Sequence, residues 1–274
     1  MLLEGSEILR PGGGEHGGEG ERAQGGRDAA PGWLHGGSSG KGRQGYTLPV
    51  SSWLFRPAAR FQGLPGTGFD TFGMRDREER RRAIVEAFHP GLKLLGEDLI
   101  DRLGPPALHA HLPRLDWPKG YQPFCTWLAL SRQAQGYQGH AQLNVGVHRD
   151  HVGLRLGWDA SADLFGRFEF LCRHGHLGEA MAVLAEAEGF AFRVYAAAPW
   201  PEGSRLVFAS PSDWRGAFDE VRRRGVWFEL GVRLELPAEL PRVTSPELGD
   251  EAARVFGALL PLHDRMAGAV EGSA

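Results

Sequence analysis

The chain has 274 residues and a formal net charge of -3, from 31 Lys and Arg against 34 Asp and Glu. This near balance excludes a strong overall attraction to nucleic acid or to acidic membranes. The expected partner is an unidentified ligand at the hairpin site described below. The two cysteines are too few for a disulfide framework, and no apolar run approaches the roughly 20 residues of a membrane span. Together with the lack of a signal peptide, this composition predicts a cytoplasmic protein.

Residues 1–63 differ from the rest of the chain because they are rich in glycine. Fifteen of the 40 glycines fall within residues 1–45, and no apolar periodicity accompanies them. Such a segment cannot bury enough apolar surface to offset the entropy of ordering it, so we expect a disordered tail. An alternative explanation is a misassigned start codon, with the true start near Val50. We place the domain at residues 64–267 and a second disordered segment at 268–274.

The first predicted helix begins after Asp76, which together with Glu79 forms a D-x-x-E signature close to a capping box. Apolar residues then recur every three or four positions along one helical face: Ile84, Phe88, Leu92, Leu95, Leu99 and Leu103. Pro90 interrupts this pattern, which predicts a kink or two abutting helices. Gly104 and the prolines after it end the helix.

A β-hairpin is the clearest pattern in the chain. Residues 124–131 are apolar on both faces, as in a central buried strand. Apolar and polar residues then alternate through 141–148 and 151–158. A tight turn at residues 149–150 pairs 147 with 152, 145 with 154 and 143 with 156, so every apolar residue meets an apolar partner. A slip of one residue would destroy this match, which specifies the register.

The remaining pattern predicts helices at 162–172, 177–187 and 212–224, strands at 190–195, 205–208 and 226–236, and a last helix from Pro246 to about Leu260, where Pro261 interferes. Consecutive strands and hairpins favour an α+β fold. We therefore predict a single domain with a mixed, mainly antiparallel sheet covered by helices.

Several short motifs give the chain a family resemblance. They are Gly68-Phe69-Asp70-Thr71-Phe72, the helix with Pro90, Leu92 and Leu95-Gly96-Glu97, the Gly136-Tyr137 turn, and the strand 141–147 followed by His151-Val152. In these residues, and over roughly 68 to 265, the chain resembles the YktB-like family of uncharacterised bacterial proteins. The resemblance implies an α+β fold and supplies no activity.

The polar side of the hairpin is the first candidate site. In the predicted register, His148 opposes His151, Gly146 opposes Gly153, and Asn144 opposes Arg155. Two opposed glycines leave a shallow trough in a sheet, and glycine in a strand often marks a close approach by another group. Arg155 and Asn144 would suit a ligand with an anionic or amide group. The alternatives are a helix packed into the trough and a plain solvated face.

His109 and His111 form a second candidate. On an extended segment both rings lie on one side, where with a nearby carboxylate they would hold a metal or shuttle protons. The alternative is a pair of exposed loop histidines. The candidate ligand-binding residues are thus His109, His111, Asn144, Gly146, His148, His151, Gly153 and Arg155.

Three classes of function follow from these patterns. The leading interpretation is a binding protein of unknown specificity. One alternative is a metal-assisted hydrolase that uses the clustered histidines, and another is a structural, self-associating protein. The sequence contains no phosphate-binding loop and no nucleophile elbow, and it identifies no catalytic residue, no metal site and no cofactor. It leaves the oligomeric state and enzymatic activity open.

Overall fold

Eight strands form one sheet in the computed structural model of the chain. The structure describes residues 46–47, 60–104, 107–115, 123–137, 139–159, 165–195, 205–208, 214–224 and 227–271. The strands are β1 Tyr46–Thr47, β2 His109–Leu112, β3 Cys125–Ser131, β4 Gln142–His148, β5 His151–Asp159, β6 Ala191–Tyr195, β7 Arg205–Phe208 and β8 Trp227–Glu235. Their order in the sheet is β1-β2-β3-β4-β5-β8-β6-β7, and each of the pairs between described strands is antiparallel.

The helices are a 3-10 helix at Gly66–Gly73, α1 Arg77–Leu103, α2 Phe165–His174, α3 Leu177–Glu188, α4 Trp214–Arg224, α5 Leu240–Val243 and α6 Glu247–Glu271. Helix α1 begins where the sequence predicted. The side chain of Asp76 accepts a hydrogen bond from the backbone N–H of Glu79 at 2.7 Å. It thereby satisfies a donor that the helix leaves unpaired.

One prediction about proline was wrong. Helix α6 continues through Pro261 to Glu271 rather than ending at Leu260. At Pro90 the alternative of two abutting helices is excluded, because α1 is a single helix from Arg77 to Leu103. Residues 268–271, expected to be disordered, therefore lie in α6. Both prolines are exposed, so the carbonyl that each leaves unpaired lies on the solvent side. Apolar residues on both sides of each proline are buried, and this packing outweighs the lost hydrogen bond.

The predicted hairpin is confirmed, with its register. Val147 pairs with Val152, Val145 with Leu154, and Leu143 with Leu156. Strand β8 lies on the other side of β5 and pairs with it from His151 to Asp159. The hairpin is therefore central in the sheet.

The two faces of the sheet differ in chemistry. On one face, apolar strand residues such as Val145 and Leu154 join a hydrophobic core with α1 and α6. Helix α1 lies on β2 and β3, α6 lies on β4 and β5, and α4 lies on β6 and β8. The opposite side carries the polar residues of β2, β3, β4, β5 and β8, and we call it the polar face. This layered arrangement confirms the α+β fold.

The packed region begins before Gly63. All described residues lie in one compact unit, Lys41–Ala274. The side chain of Phe61 is 5% exposed and belongs to the core, and the backbone N–H of Leu64 donates to the carbonyl of Val243 at 3.0 Å. The boundary expected after residue 63 thus falls within packed chain. The glycine-rich stretch 1–45 and the alternative start at Val50 lie outside the described residues.

Candidate functional site

The polar face is organised in rows, because residues directly opposite each other in antiparallel strands share a face. The central row runs His111, Ala129, Asn144, Arg155 and Gly231 across β2, β3, β4, β5 and β8. The next row toward the β4–β5 turn runs Trp127, Gly146, Gly153 and Arg233. The candidate residues of the hairpin and those of β2 therefore lie on the same face.

Arg155 occupies the space that the two opposed glycines leave. A Cβ atom added to Gly146 would lie 2.6 Å from Nη2 of Arg155, and one added to Gly153 would lie 3.4 Å from Nη1. The predicted trough therefore exists in the backbone, and the guanidinium of the chain's own Arg155 fills it. Glycine is needed at position 146 because any side chain there would displace this group.

Arg155 forms an ion pair with Glu229 from the neighbouring strand β8. Nη1 of Arg155 lies 2.8 Å from Oε2 of Glu229, and the two side chains are only 12% and 1% exposed. The indole N–H of Trp227 donates to the same carboxylate oxygen at 3.3 Å. Burial removes most of the water around both charges, which costs free energy. The charge-assisted contacts offset part of that cost.

A second arginine reaches the same part of the sheet. Nη1 of Arg193, on β6, donates to the backbone carbonyl of Gly231 at 3.1 Å. Arg193 is itself a direct cross-strand partner of Glu229, and Arg233 lies two rows away on the same side of β8. Arg155, Arg193 and Arg233 thus all lie within two rows of the Glu229 carboxylate.

A chain of amide contacts holds Asn144. Nε2 of Gln142 donates to the backbone carbonyl of Tyr137 at 2.8 Å, and Nδ2 of Asn144 donates to Oε1 of Gln142 at 3.2 Å. Both amide side chains are buried, with Asn144 2% exposed. The loop between β3 and β4, which carries Tyr137, is therefore tied to the polar face.

Aromatic residues close one side of the central row. The ring of Tyr137 lies 5.5 Å from that of His111, and the indole N–H of Trp127 donates a hydrogen bond to the Tyr137 hydroxyl. Burial raises the pKa of Tyr137 to about 12, so the phenol stays protonated at neutral pH. Trp127 and Tyr137 are half-buried residues.

The hairpin histidines form a stacked pair at the end of the polar face. The rings of His148 and His151 are 4.2 Å apart and nearly parallel. Nδ1 of His151 donates to Oδ1 of Asp150 at 2.6 Å. The sequence predicted that these two residues oppose each other, and the continuation of the β4–β5 register agrees.

The two histidine pairs do not converge. His111 lies opposite Ala129, in the same row as Asn144. Asn144 is four residues from His148 on β4, which corresponds to about 13 Å along the strand. In the part of the chain that the structure describes, no group of three or more His, Cys, Asp or Glu side chains is placed to hold a metal ion. The described residues therefore give no support to a histidine-based metal centre.

The sequence missed the β8 and β6 residues of this site. Alternation in residues 226–236 places Glu229 on the polar side of its strand, but it does not identify the neighbouring strand. Because β8 inserts beside β5, Glu229 becomes the partner of Arg155.

None of the described helices is long and apolar enough to cross a membrane.

Part of this region is similar to a known protein family. Residues 66–161 match the family model described as "Domain of unknown function (DUF1054)". The resemblance to this uncharacterised bacterial family is confirmed. The DUF1054 match ends at residue 161, so it includes Asn144 and Arg155 but not Glu229.

Curated relatives carry names that state no activity. A UPF0637 protein of Oceanobacillus iheyensis is 31% identical over 97 residues, which cover 34% of this chain and 47% of the relative. UPF0637 proteins of Exiguobacterium sibiricum and Shouchella clausii are each 30% identical, over 93 and 101 residues. These matches cover 33% and 35% of this chain, and 46% and 48% of the relatives. The chain spans about half the length of the curated relatives that it matches.

Proposed function

We propose that this protein binds a small molecule on the polar face, with Arg155 and Asn144 as its principal contacts. The buried Arg155–Glu229 pair carries the proposal. Taking two charges out of water costs several kcal/mol, and well-packed apolar residues would usually stabilise a sheet at least as well. A buried charged group beside half-buried aromatic rings is a typical feature of a ligand site.

The chemistry of the site favours a ligand with an anionic or amide group. Arginine presents a rigid fork of donors that matches carboxylate and amide oxygens. The described side chains around Gly231 also carry more positive than negative charge, since Arg155, Arg193 and Arg233 accompany Glu229. A metal-assisted hydrolase needs converging metal ligands, which the described residues do not form. Self-association stays a separate prediction.

A thermal-shift screen of a metabolite library against the full chain tests this proposal. The informative variant is Arg155→Lys, which keeps a positive charge beside Glu229 and removes the planar fork. Arg155→Ala is unsuitable because it leaves Glu229 buried and unpaired, at a cost of about 3–5 kcal/mol in the free energy of unfolding. Arg82→Lys, at an exposed position of α1, is the matched control.

We expect the screen to find compounds that raise the melting temperature of the wild type and of Arg82→Lys. The same compounds should bind Arg155→Lys at least about tenfold more weakly than the wild type, a difference of ~1.4 kcal/mol in binding free energy. Binding of a ligand to the folded state alone raises its apparent stability, which makes the melting temperature a direct readout. A screen without stabilising compounds would contradict the proposal. Compounds that stabilise all three proteins equally would place the site elsewhere.

A further inference from the structure

Two arginines meet at the end of the sheet where β4 turns into β5. Arg149 begins that turn, and its side chain is exposed. Arg80, near the start of α1, donates from Nη1 to the backbone carbonyl of Pro123 at 3.4 Å. Cys125 pairs with His148, so Pro123 lies two residues before β3 begins and Arg149 lies one residue after β4 ends. Because these strands are antiparallel, the two ends are neighbours, and both arginines approach the same point.

The position of Arg80 is fixed by backbone carbonyls rather than by an acid. Its Nε lies 2.6 Å from the carbonyl oxygen of Met74, and its Nη2 donates to the same oxygen. A guanidinium carries about five N–H donors. These contacts and the one to Pro123 leave one N–H on each of Nη1 and Nη2 without a partner among the described residues. Arg80 is partly exposed, so an anion at the surface can approach these two donors.

Arg149 has no acidic partner in the described part of the chain. No hydrogen bond or ion pair joins its side chain to a described residue, and the neighbouring carboxylate of Asp150 accepts from Nδ1 of His151 at 2.6 Å. Burial, and then the charge of Arg149, lower the pKa of Arg80, and no described carboxylate offsets them. The two guanidiniums are thus close enough to repel each other. An anion between them replaces this repulsion with two attractions.

The two guanidiniums specify the charge and the shape of such an anion. A carboxylate has one charge and two oxygens, which a single arginine fork already satisfies. A phosphate monoester has three free oxygens and, with a second pKa near 6, about two charges at neutral pH. It therefore suits two arginines that come from different elements. A nucleic-acid site needs a wider basic surface, whereas this chain has a net charge of -3 and acids such as Glu78 and Asp150 lie close to the pair in sequence.

We infer that Arg80 and Arg149 form a second binding site, which holds the phosphate group of a small phosphate monoester. Arg80 supplies the fixed half of the site, because two backbone carbonyls hold its guanidinium. Arg149 supplies the adjustable half, because no hydrogen bond ties its side chain to a described residue. The site goes beyond the proposed function and does not depend on it, since Arg155 lies four residues along β5 from His151, about 13 Å from the turn.

Two esters of the same shape test the site on the full chain. Binding of phenyl phosphate and phenyl sulfate is measured by calorimetry at roughly pH 8, where the phosphate is a dianion and the sulfate carries a single charge. We expect phenyl phosphate to bind at least about tenfold more tightly than phenyl sulfate, equivalent to ~1.4 kcal/mol.

Arg149→Gln is the informative variant, because it removes the charge without breaking a hydrogen bond to a described residue. Phenyl phosphate should bind this variant at least about tenfold more weakly than the wild type. Arg82→Gln removes the same charge from an exposed position of α1 and should bind like the wild type. Arg80 is unsuitable for this test, because its replacement also breaks the contacts to Met74 and Pro123.

Melting temperatures give a second readout, which separates a site from a general salt effect. In phosphate-free buffer, Arg149→Gln should melt at or above the temperature of the wild type, because the repulsion of Arg80 is removed. Millimolar inorganic phosphate, matched with sodium chloride for ionic strength, should stabilise the wild type and Arg82→Gln more than Arg149→Gln. The exclusion of phosphate from protein surfaces acts on all three proteins alike.

Several results would overturn the inference. They are no binding of phenyl phosphate, equal affinities for the two esters, equal affinities of the wild type and Arg149→Gln, and equal effects of phosphate on the three melting temperatures. A thymidine oligonucleotide that binds through Arg149 while phenyl phosphate does not would replace the small molecule with nucleic acid. None of these results bears on the polar face, which the metabolite screen and Arg155→Lys test.

Discussion

At the residue scale, His89 gives the protein a defined response to acid. Its Nε2 lies 3.0 Å from Oγ1 of Thr126, and burial lowers the pKa of His89 from the usual 6.5 to about 4. Between these values the unfolded chain binds a proton that the folded protein does not. The stabilisation from neutral His89 is therefore complete above pH 6.5 and is lost as the pH falls toward 4.

We expect His89→Gln to flatten this dependence by up to roughly 3 kcal/mol in the free energy of unfolding between pH 7 and pH 4. Urea unfolding at the two pH values measures it, with His174→Gln at an exposed position as control. Burial also lowers the pKa of His111, His140 and His263, so part of the dependence should remain. An unchanged slope in His89→Gln would show that His89 protonates freely in the folded state.

At the element scale, strands β5 and β8 approach so closely at Gly231 that no side chain fits between them. A Cβ atom added to Gly231 would lie 2.1 Å from the backbone carbonyl oxygen of Leu154, whereas at Gly146 the nearest atom is the flexible end of Arg155. We expect Gly231→Ala to lower the free energy of unfolding by about 3 kcal/mol or more, and Gly146→Ala by about 1–2 kcal/mol. Urea unfolding of both variants measures the difference. Equal losses would mean that β5 and β8 can separate at little cost.

The same elements show how far the sequence leads. The hairpin register was predictable because each strand buries one face, and a slip would expose its apolar residues. The partner of Arg155 was not predictable, since alternation reveals the faces of β8 but not its neighbours. The continuation of α6 through Pro261 was also missed, because core packing on both sides of the proline decides it rather than local preference.

At the scale of the whole molecule, the core includes chain that precedes the expected domain boundary. Phe61 is buried beside residues of α1 and α6. We expect a chain beginning at Gly63 to be less stable than one beginning at Arg60 by about 3–5 kcal/mol, the usual cost of losing a buried Phe side chain. Differential scanning calorimetry compares the two, and Gln62→Ala at an exposed position is the control. Equal melting temperatures would show that Phe61 adds no stability.

The position of β8 between β5 and β6 has a consequence for the nascent chain. As synthesis proceeds from the N-terminus, β2, β3, β4 and β5 leave the ribosome first and can pair as successive antiparallel neighbours. The β6–β7 hairpin cannot join the sheet until residues 227–235 have emerged, because β8 provides its attachment. Arg155 therefore meets Glu229 only late in translation. On a ribosome stalled before Trp227, the β4–β5 hairpin could already have formed. Glu229, whose carboxylate pairs with Arg155, would not yet have been synthesised.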